Sequence, residues 1–378
     1  MNQLDQLKKF TVVVADTGDI SSIKDFAPMD ATTNPSLILK AAQNPLYKHL
    51  IEEAIQYAKG KSLVLEGQIS HSIKKVFVNF GKEILKFIPG RVSIEIDSRL
   101  SYSISKTEEE AKNLIYLFEQ QNIPRERILI KLAATWEGIQ AAKMLEREKI
   151  HCNVTLVFSL TQAITAANAN ATIISPFVGR ILDWHKKKYN MSNYPANEDP
   201  GVLSTNKIYH YYKKFGYPTQ IMGASFRNKE QILELSGCDF LTISPGLLSE
   251  LSQSNDLISC KLSPEISKNI GITKEETIDE QKFHSQLREN PMAFEKFHEG
   301  IEKFSVDMIK LEELIKKMLK ELSLKKMFFS IYIIYRWTLP DVSPDIRLSI
   351  SWIEAKLKSY GIVCLIADAA TANSNDSS

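Results

Sequence analysis

The chain is poor in the residues that announce metal, redox or nucleotide sites. It has four cysteines, Cys152, Cys238, Cys260 and Cys364, with no paired zinc or redox spacing among them. Its seven histidines form no HExxH and no tight His-x-His cluster, which weakens a metal-dependent reading. No two glycines are separated by a single residue, and neither a dinucleotide fingerprint nor a Walker loop is available. One-sided charge is also missing: a formal balance of +2 gives no global field for nucleic acid or a membrane surface. The opening Met1–Phe10 is too polar for a signal peptide. A reduced, cytoplasmic enzyme without nucleic-acid or membrane partners is therefore expected.

What the chain does have is short apolar strands alternating with helical stretches. Strands are expected at Thr11–Thr17, Asp30–Ser36, Arg91–Asp97, around Lys131, and at Cys152–Phe158, Ala171–Phe177, Thr219–Ser225 and Cys238–Ser244. Helices are expected over Leu37–Lys59, Ser70–Phe87, Thr107–Gln121, Trp136–Glu148 and Asn290–Leu322. Eight βα units over roughly 250–320 residues predict an α/β fold, a single (β/α)8 TIM barrel with a long C-terminal helix. An open doubly wound sheet is the alternative, but it usually carries a glycine-rich first turn. Residues 1–322 read as the barrel and 323–378 as an extension.

Lys131 lies inside the apolar run Ile128-Leu129-Ile130-Lys131-Leu132-Ala133. A lysine there must bury its ammonium, pair it or lose its proton, and the neutral amine is the nucleophile of Schiff-base chemistry. Snorkelling from an edge strand to solvent is the competing reading. Alternation along the strands favours the first. Ser93, Glu95 and Asp97 share one face, Leu129, Lys131 and Ala133 another, and Asn153 and Thr155 a third. Gly223, Ser225 and Arg227 are expected together on the inner face of strand seven, opposite Met222, Ala224 and Phe226.

TIM-barrel sites form at the C-terminal ends of the strands. The polar residues there are Asp16, Asn34, Glu95, Lys131, Asn153, Thr155, Ser175, Ser225 and Arg227, with Arg180 in the turn after strand six. An amine needs a carbonyl partner, and two carboxylates can move protons through carbinolamine, Schiff base and enamine. Two guanidinium groups suit a phosphate. Carbon–carbon bond chemistry on a phosphorylated ketose is implied. Asp16 could instead cap a turn, although Asp19 is the better cap; Arg180 and Arg227 could pair with Asp183 or Asp97, and Phe177 could be simple packing.

Six segments together carry a family resemblance: VADTGD from Val14, DATTNPS from Asp30, ILIKLA from Ile128, CNVTL from Cys152, ISPFVGR from Ile174 and GASFRN from Gly223. In this order and spacing, over about residues 2–322, the chain resembles transaldolase, in its large bacterial and eukaryotic branch. The resemblance implies that Lys131 forms the Schiff base and Asp16 takes the C4 hydroxyl proton. Glu95 would move protons through a water near Thr155. Asn34, Asn153 and Ser175 would hold the dihydroxyacetone hydroxyls. Arg180, Ser225 and Arg227 would bind the phosphate, with Phe177 beside them. It further implies small phosphorylated sugars as substrates, no metal or organic cofactor, and a homodimer. Two other readings share these residues: an aldolase releasing free dihydroxyacetone, and a catalytically silent sugar-phosphate scaffold.

Beyond Leu322 the family gives no guide. Met327–Trp337 is apolar and aromatic but too short to span a bilayer. Trp352–Tyr360 reads as a short helix and Thr371–Ser378 as a disordered end. An appendage without catalytic work is the plain expectation; a surface for a partner or membrane is the sharper one.

Overall fold

Each expected strand forms, most of them shorter than drawn. In the computed structural model, which describes residues 1–275, 277–338, 353, 355 and 356, the strands are β1 (Val12–Asp16), β2 (Asp30–Thr32), β3 (Val92–Glu95), β4 (Ile128–Ala133), β5 (Cys152–Val157), β6 (Ile173–Pro176), β7 (Gln220–Gly223) and β8 (Phe240–Ile243). They close in sequence order into a parallel eight-stranded barrel, with β8 pairing back to β1. This is the (β/α)8 architecture that the alternation predicts.

Side-chain caps stand where four of the strands hand over to a helix. Asn34 accepts from the Leu37 amide and opens helix Pro35–Ala42; Thr135 does the same for Trp136–Arg147, Ser159 for Leu160–Asn168 and Asn228 for Lys229–Glu234. A side-chain oxygen that satisfies one of the first free amides is what lets so short a connection turn cleanly. Strand two therefore stops at Thr32 and not at Ser36. The helix expected at Ser70–Phe87 runs over Leu65–Leu85, and Arg180 lies in the first turn of helix Val178–Tyr189 rather than in a loop.

Inside the barrel, Val14, Leu129, Ile173, Met222 and Phe240 form a buried apolar plug. Two residues further along the same strands come Asp16, Lys131, Ser175, Ala224 and Thr242, and all five line one cavity. Period-two alternation stacks this second layer directly on the first. The expected inner face of β7 is thereby corrected: Met222 and Ala224 point in and Gly223 points out, where a Cβ would meet Leu241 Cδ2 at 2.8 Å. Ser225 still reaches the cavity, because its backbone turns left-handed (φ 62°) and breaks the alternation.

Residues Met1–Leu311 make one compact unit and Glu312–Ser378 a second. The C-terminal helix spans Pro291–Thr338, longer than expected and inclusive of Met327–Trp337. No helix among the described residues is long and apolar enough to cross a membrane. The expectations for Trp352–Tyr360, apart from residues 353, 355 and 356, and for Thr371–Ser378 lie outside the described residues.

If the plug carries the floor of the site, Leu129→Ala should lower unfolding free energy by about 2–5 kcal/mol, the usual range for a buried leucine. Urea denaturation would measure it. A loss well under 1 kcal/mol would mean that the floor collapses around the gap.

Candidate active site

Lys131 is an interior residue of a central strand, so the snorkelling alternative fails. Its Nζ lies 2.9 Å from Glu95 Oε2, with the two side chains only 5% and 2% exposed. Strand register sets this contact: Glu95 pairs with Lys131 across β3 and β4, and Lys131 with Asn153 across β4 and β5. The ammonium also donates to the Thr33 carbonyl at 3.2 Å. Glu95 Oε2 accepts no well-aligned hydrogen bond, and the buried Thr155 Oγ1 has no partner either. Asn153 donates to Ser93 Oγ at 3.2 Å and accepts from Ser175 Oγ at 2.7 Å.

Asp16, half-buried at the end of β1, accepts from Thr32 Oγ1 at 2.9 Å, and Thr32 in turn meets Thr242 Oγ1 at 2.5 Å. It is not a cap; Asp19 is, for helix Ile20–Ile23. Burial raises the pKa of Asp16 from its ordinary value, against the smaller opposing effects of Lys131, the Thr32 hydrogen bond and Arg180. Burial likewise raises Glu95, with Lys131 and Arg180 opposing and Asp16 adding to the rise. Two carboxyls that both hold their protons longer than usual, beside one amine, can give protons as well as take them.

The cavity over these groups holds about 180 Å³ and is lined by Asp16, Thr32, Asn34, Ser36, Leu37, Lys131, Ser175, Phe177, Arg180, Ala224, Ser225, Thr242, Lys303 and Phe304. Glu95, Asn153 and Thr155 are buried beside it, Glu95 and Asn153 in register with Lys131. Asp16 and Leu37 also border an outer chamber of about 590 Å³ that includes Asp19, Lys40 and Tyr47. A larger depression, about 670 Å³, lies over Phe158, Trp184, Lys207 and Gln286 and touches neither Asp16 nor Lys131, so volume alone does not locate the chemistry.

Arg180 adds a positive charge to the cavity lining. The Arg180 guanidinium lies between the rings of Phe177 and Phe304, at 4.9 and 5.4 Å from their centroids, a cation–π sandwich that orients it. Burial lowers its pKa and Arg227 lowers it further, but a guanidinium remains charged. Arg227 is exposed and forked onto Asp183 (2.7 and 3.1 Å), and its Nη1 donates to the Ser225 carbonyl at 3.0 Å. Its side chain is not among those lining the cavity. Phe177 both packs on Phe158 and walls the site.

Thr242, Ser36, Lys303 and Phe304 were not singled out from sequence. Thr242 was legible, standing two residues after Phe240 as Asp16 stands after Val14. Ser36 closes the DATTNPS segment. Lys303 and Phe304 come from the C-terminal helix, and nothing in a helical pattern says which turn will face a barrel mouth.

A family model described as transaldolase/fructose-6-phosphate aldolase matches residues 13–315. A protein named transaldolase from Protochlamydia amoebophila is 54% identical over 319 residues, 84% of this chain and 98% of the relative. One from Cricetulus griseus is 54% identical over 313 residues, 82% of this chain and 93% of its own. One from Saccharomyces cerevisiae is 52% identical over 319 residues, 84% and 95% respectively. The chain belongs to the transaldolase family. The family's match extends across all eight strands and into the helix that brings Lys303 and Phe304 to the site.

The raised carboxyl pKa of Asp16 has a sign that can be checked. Between its unfolded and folded values the folded protein binds more protons, so stability falls as pH rises through that window and the ionised group is a net cost at neutrality. Asp16→Asn should therefore raise Tm at pH 7, with the gain shrinking as pH falls through the raised value. Thermal unfolding across pH would test this; a variant less stable at pH 7 would mean that the carboxylate is favourably paired.

Proposed function

We infer that this protein is a transaldolase, an enzyme that moves a dihydroxyacetone unit between phosphorylated sugars in the non-oxidative pentose phosphate pathway. The observation that carries the reading is the buried Lys131 amine 2.9 Å from Glu95, on a cavity that also presents Asp16. An amine among two acids in a water-poor interior is suited to Schiff-base chemistry.

In this reading the Lys131 amine attacks the ketose C2 carbonyl and water leaves, giving the Schiff base. Asp16 takes the C4 hydroxyl proton, the C3–C4 bond breaks, and its electrons pass into the iminium as an aldose phosphate departs. The enamine, still covalent on Lys131, adds to the carbonyl of an incoming aldose phosphate, erythrose 4-phosphate or glyceraldehyde 3-phosphate, and hydrolysis frees the new ketose. Sedoheptulose 7-phosphate and fructose 6-phosphate are the donors. Glu95 shuttles protons in carbinolamine formation and loss; the buried Thr155 Oγ1, which has no hydrogen-bond partner, supports a water shared with Glu95 for that relay.

Asn34, Asn153 and Ser175 hold the dihydroxyacetone hydroxyls. Asn34 Oδ1 is spent on its helix cap, which leaves its amide group for substrate. Arg180, Ser225 and Arg227 bind the terminal phosphate, and Phe177 holds Arg180 in place. A phosphate would compete with Asp183 for Arg227. We assign residues 323–378 no catalytic part and propose a cytoplasmic homodimer on the family resemblance; light scattering of the full chain would test the dimer.

Lys131→Arg should abolish borohydride trapping by fructose 6-phosphate, seen as an unmodified peptide by mass spectrometry, because arginine keeps charge but offers no nucleophilic amine. Asp16→Ala should still trap while turnover drops about 10²–10⁴-fold, the usual contribution of a positioned base. Equal loss of trapping and turnover would deny that division of labour. Turnover without an aldose acceptor would make the enzyme an aldolase instead.

For the phosphate end, Arg180→Ala should lower the ratio of kcat/KM for fructose 6-phosphate over fructose by about tenfold to a hundredfold, as loss of a charge-assisted bond implies. If both substrates lost activity alike, Arg180 would be supporting the barrel.

A further inference from the structure

Lys303 is an exposed lysine on the C-terminal helix that lines the same cavity as Lys131, Ser175, Arg180 and Ser225. The other lysines nearby on that helix are matched: Lys296 pairs with Glu299 at 2.7 Å and Lys310 with Asp307 at 3.2 Å. Glu299 and Asp307 are the acids one turn either side of Lys303, so both are already engaged. Lys303 itself has no hydrogen bond or ion pair among the described residues.

The helix is held over the site by specific contacts. Asp307 accepts a short hydrogen bond from Ser36, next to the Asn34 cap. Ser98 Oγ meets Ser305 Oγ at 2.9 Å and donates to the Ile301 carbonyl at 3.3 Å. Trp184 Nε1 donates to Glu295 at 2.7 Å. Gly300 allows the close approach: a Cβ there would stand 2.7 Å from Leu156 Cδ2 and 3.2 Å from Arg180 Nη1. Residue 303 is thus fixed at the rim by its neighbours, while its own ammonium is uncommitted.

A phosphate dianion calls for more than one cation. Arg180 faces the cavity, but Arg227 stands off its lining and is already matched by Asp183. We propose that Lys303 is a phosphate-binding residue of the substrate site, its ammonium closing over the terminal phosphate that Arg180 and Ser225 hold from the barrel side. The proposal rests on the transaldolase reading and adds to it a residue from the C-terminal helix. A flexible, rim-placed ammonium also draws anions in from solution, an effect that salt weakens.

The test uses the full-length chain with Lys303→Met, which keeps the apolar stem, and Lys303→Arg. With fructose 6-phosphate and erythrose 4-phosphate, Lys303→Met should raise KM about tenfold with a smaller effect on kcat, and flatten the salt dependence of kcat/KM. Inhibition by inorganic phosphate should weaken by a similar factor, activity on unphosphorylated fructose should suffer less, and Lys303→Arg should recover most of the loss. Unchanged KM and unchanged phosphate inhibition in Lys303→Met would overturn the proposal, as would an equal loss on fructose. Should the parent enzyme fail to transfer from fructose 6-phosphate, the functional reading falls. Calorimetric binding of inorganic phosphate to parent and Lys303→Met would then decide Lys303 separately, equal affinity counting against it.

Discussion

A carboxylate and an amine share the dry interior of the barrel, and the rest of the site is arranged around them. Taking both groups out of water is costly, and their attraction at 2.9 Å repays that cost only in part. A buried ion pair is weak as a source of stability, since apolar residues of similar volume often do as well or better. The fold draws its stability from elsewhere: the plug of Val14, Leu129, Ile173, Met222 and Phe240, and the helices packed outside the strands. Lys131 and Glu95 are tolerated because that plug lies one layer below. The raised pKa values of Asp16 and Glu95 express the same burial cost. A site that keeps two acids reluctant to ionise beside an amine has given up stability for proton traffic, which is the common bargain of active sites.

Much of this was legible in the sequence for a simple reason. A strand's side-chain period is two, so an apolar residue followed two places later by a polar one places that polar group one layer nearer the barrel mouth. Val14 and Asp16, Leu129 and Lys131, and Ile173 and Ser175 obey the rule, and so the acid–amine end could be assembled from the chain alone. Helix caps were legible too, although Asn34 was read for substrate and its capping role appeared only with the structure. The rule could also have delivered Thr242 after Phe240. What no local pattern carries is the docking of distant elements: Lys303 lies in a helix whose register against the barrel depends on Ser36 and Ser98, residues far from it in sequence.

Strand seven shows where the alternation rule breaks. Read as continuous extended chain, Gly223, Ser225 and Arg227 share the inner face; in the fold, Met222 and Ala224 do. The left-handed backbone at Ser225 resets the direction of everything after it, bringing its hydroxyl to the cavity while Arg227 turns back toward Asp183. A serine at φ 62° pays a steric penalty that glycine would not. Leu156 in β5 does likewise at φ 58°, beside a register shift between Val154 and Val157. Both irregular positions occur at strand ends that face the site, where the chain trades regular pairing for the aim of a side chain.

These breaks also explain how the two ends of the cavity come to differ. The acid–amine end is built from regular strand positions: Lys131 is paired on both sides, Glu95 with Lys131 and Asp16 with Thr32 on one. The cationic end is built from a helix turn at Arg180, a left-handed serine and a docked helix, none of which belongs to the ladder. Gly179 lets these parts close together, since a Cβ there would fall 2.2 Å from the Ser225 carbonyl. Two aromatic rings from different elements then fix the Arg180 plane. In the proposed function, bond making and breaking needs sub-ångström placement of Lys131 and Asp16, whereas a phosphate needs only enough cations within reach. The division of labour between ladder and appended elements matches that difference in tolerance: geometry where atoms react, charge where the substrate is held.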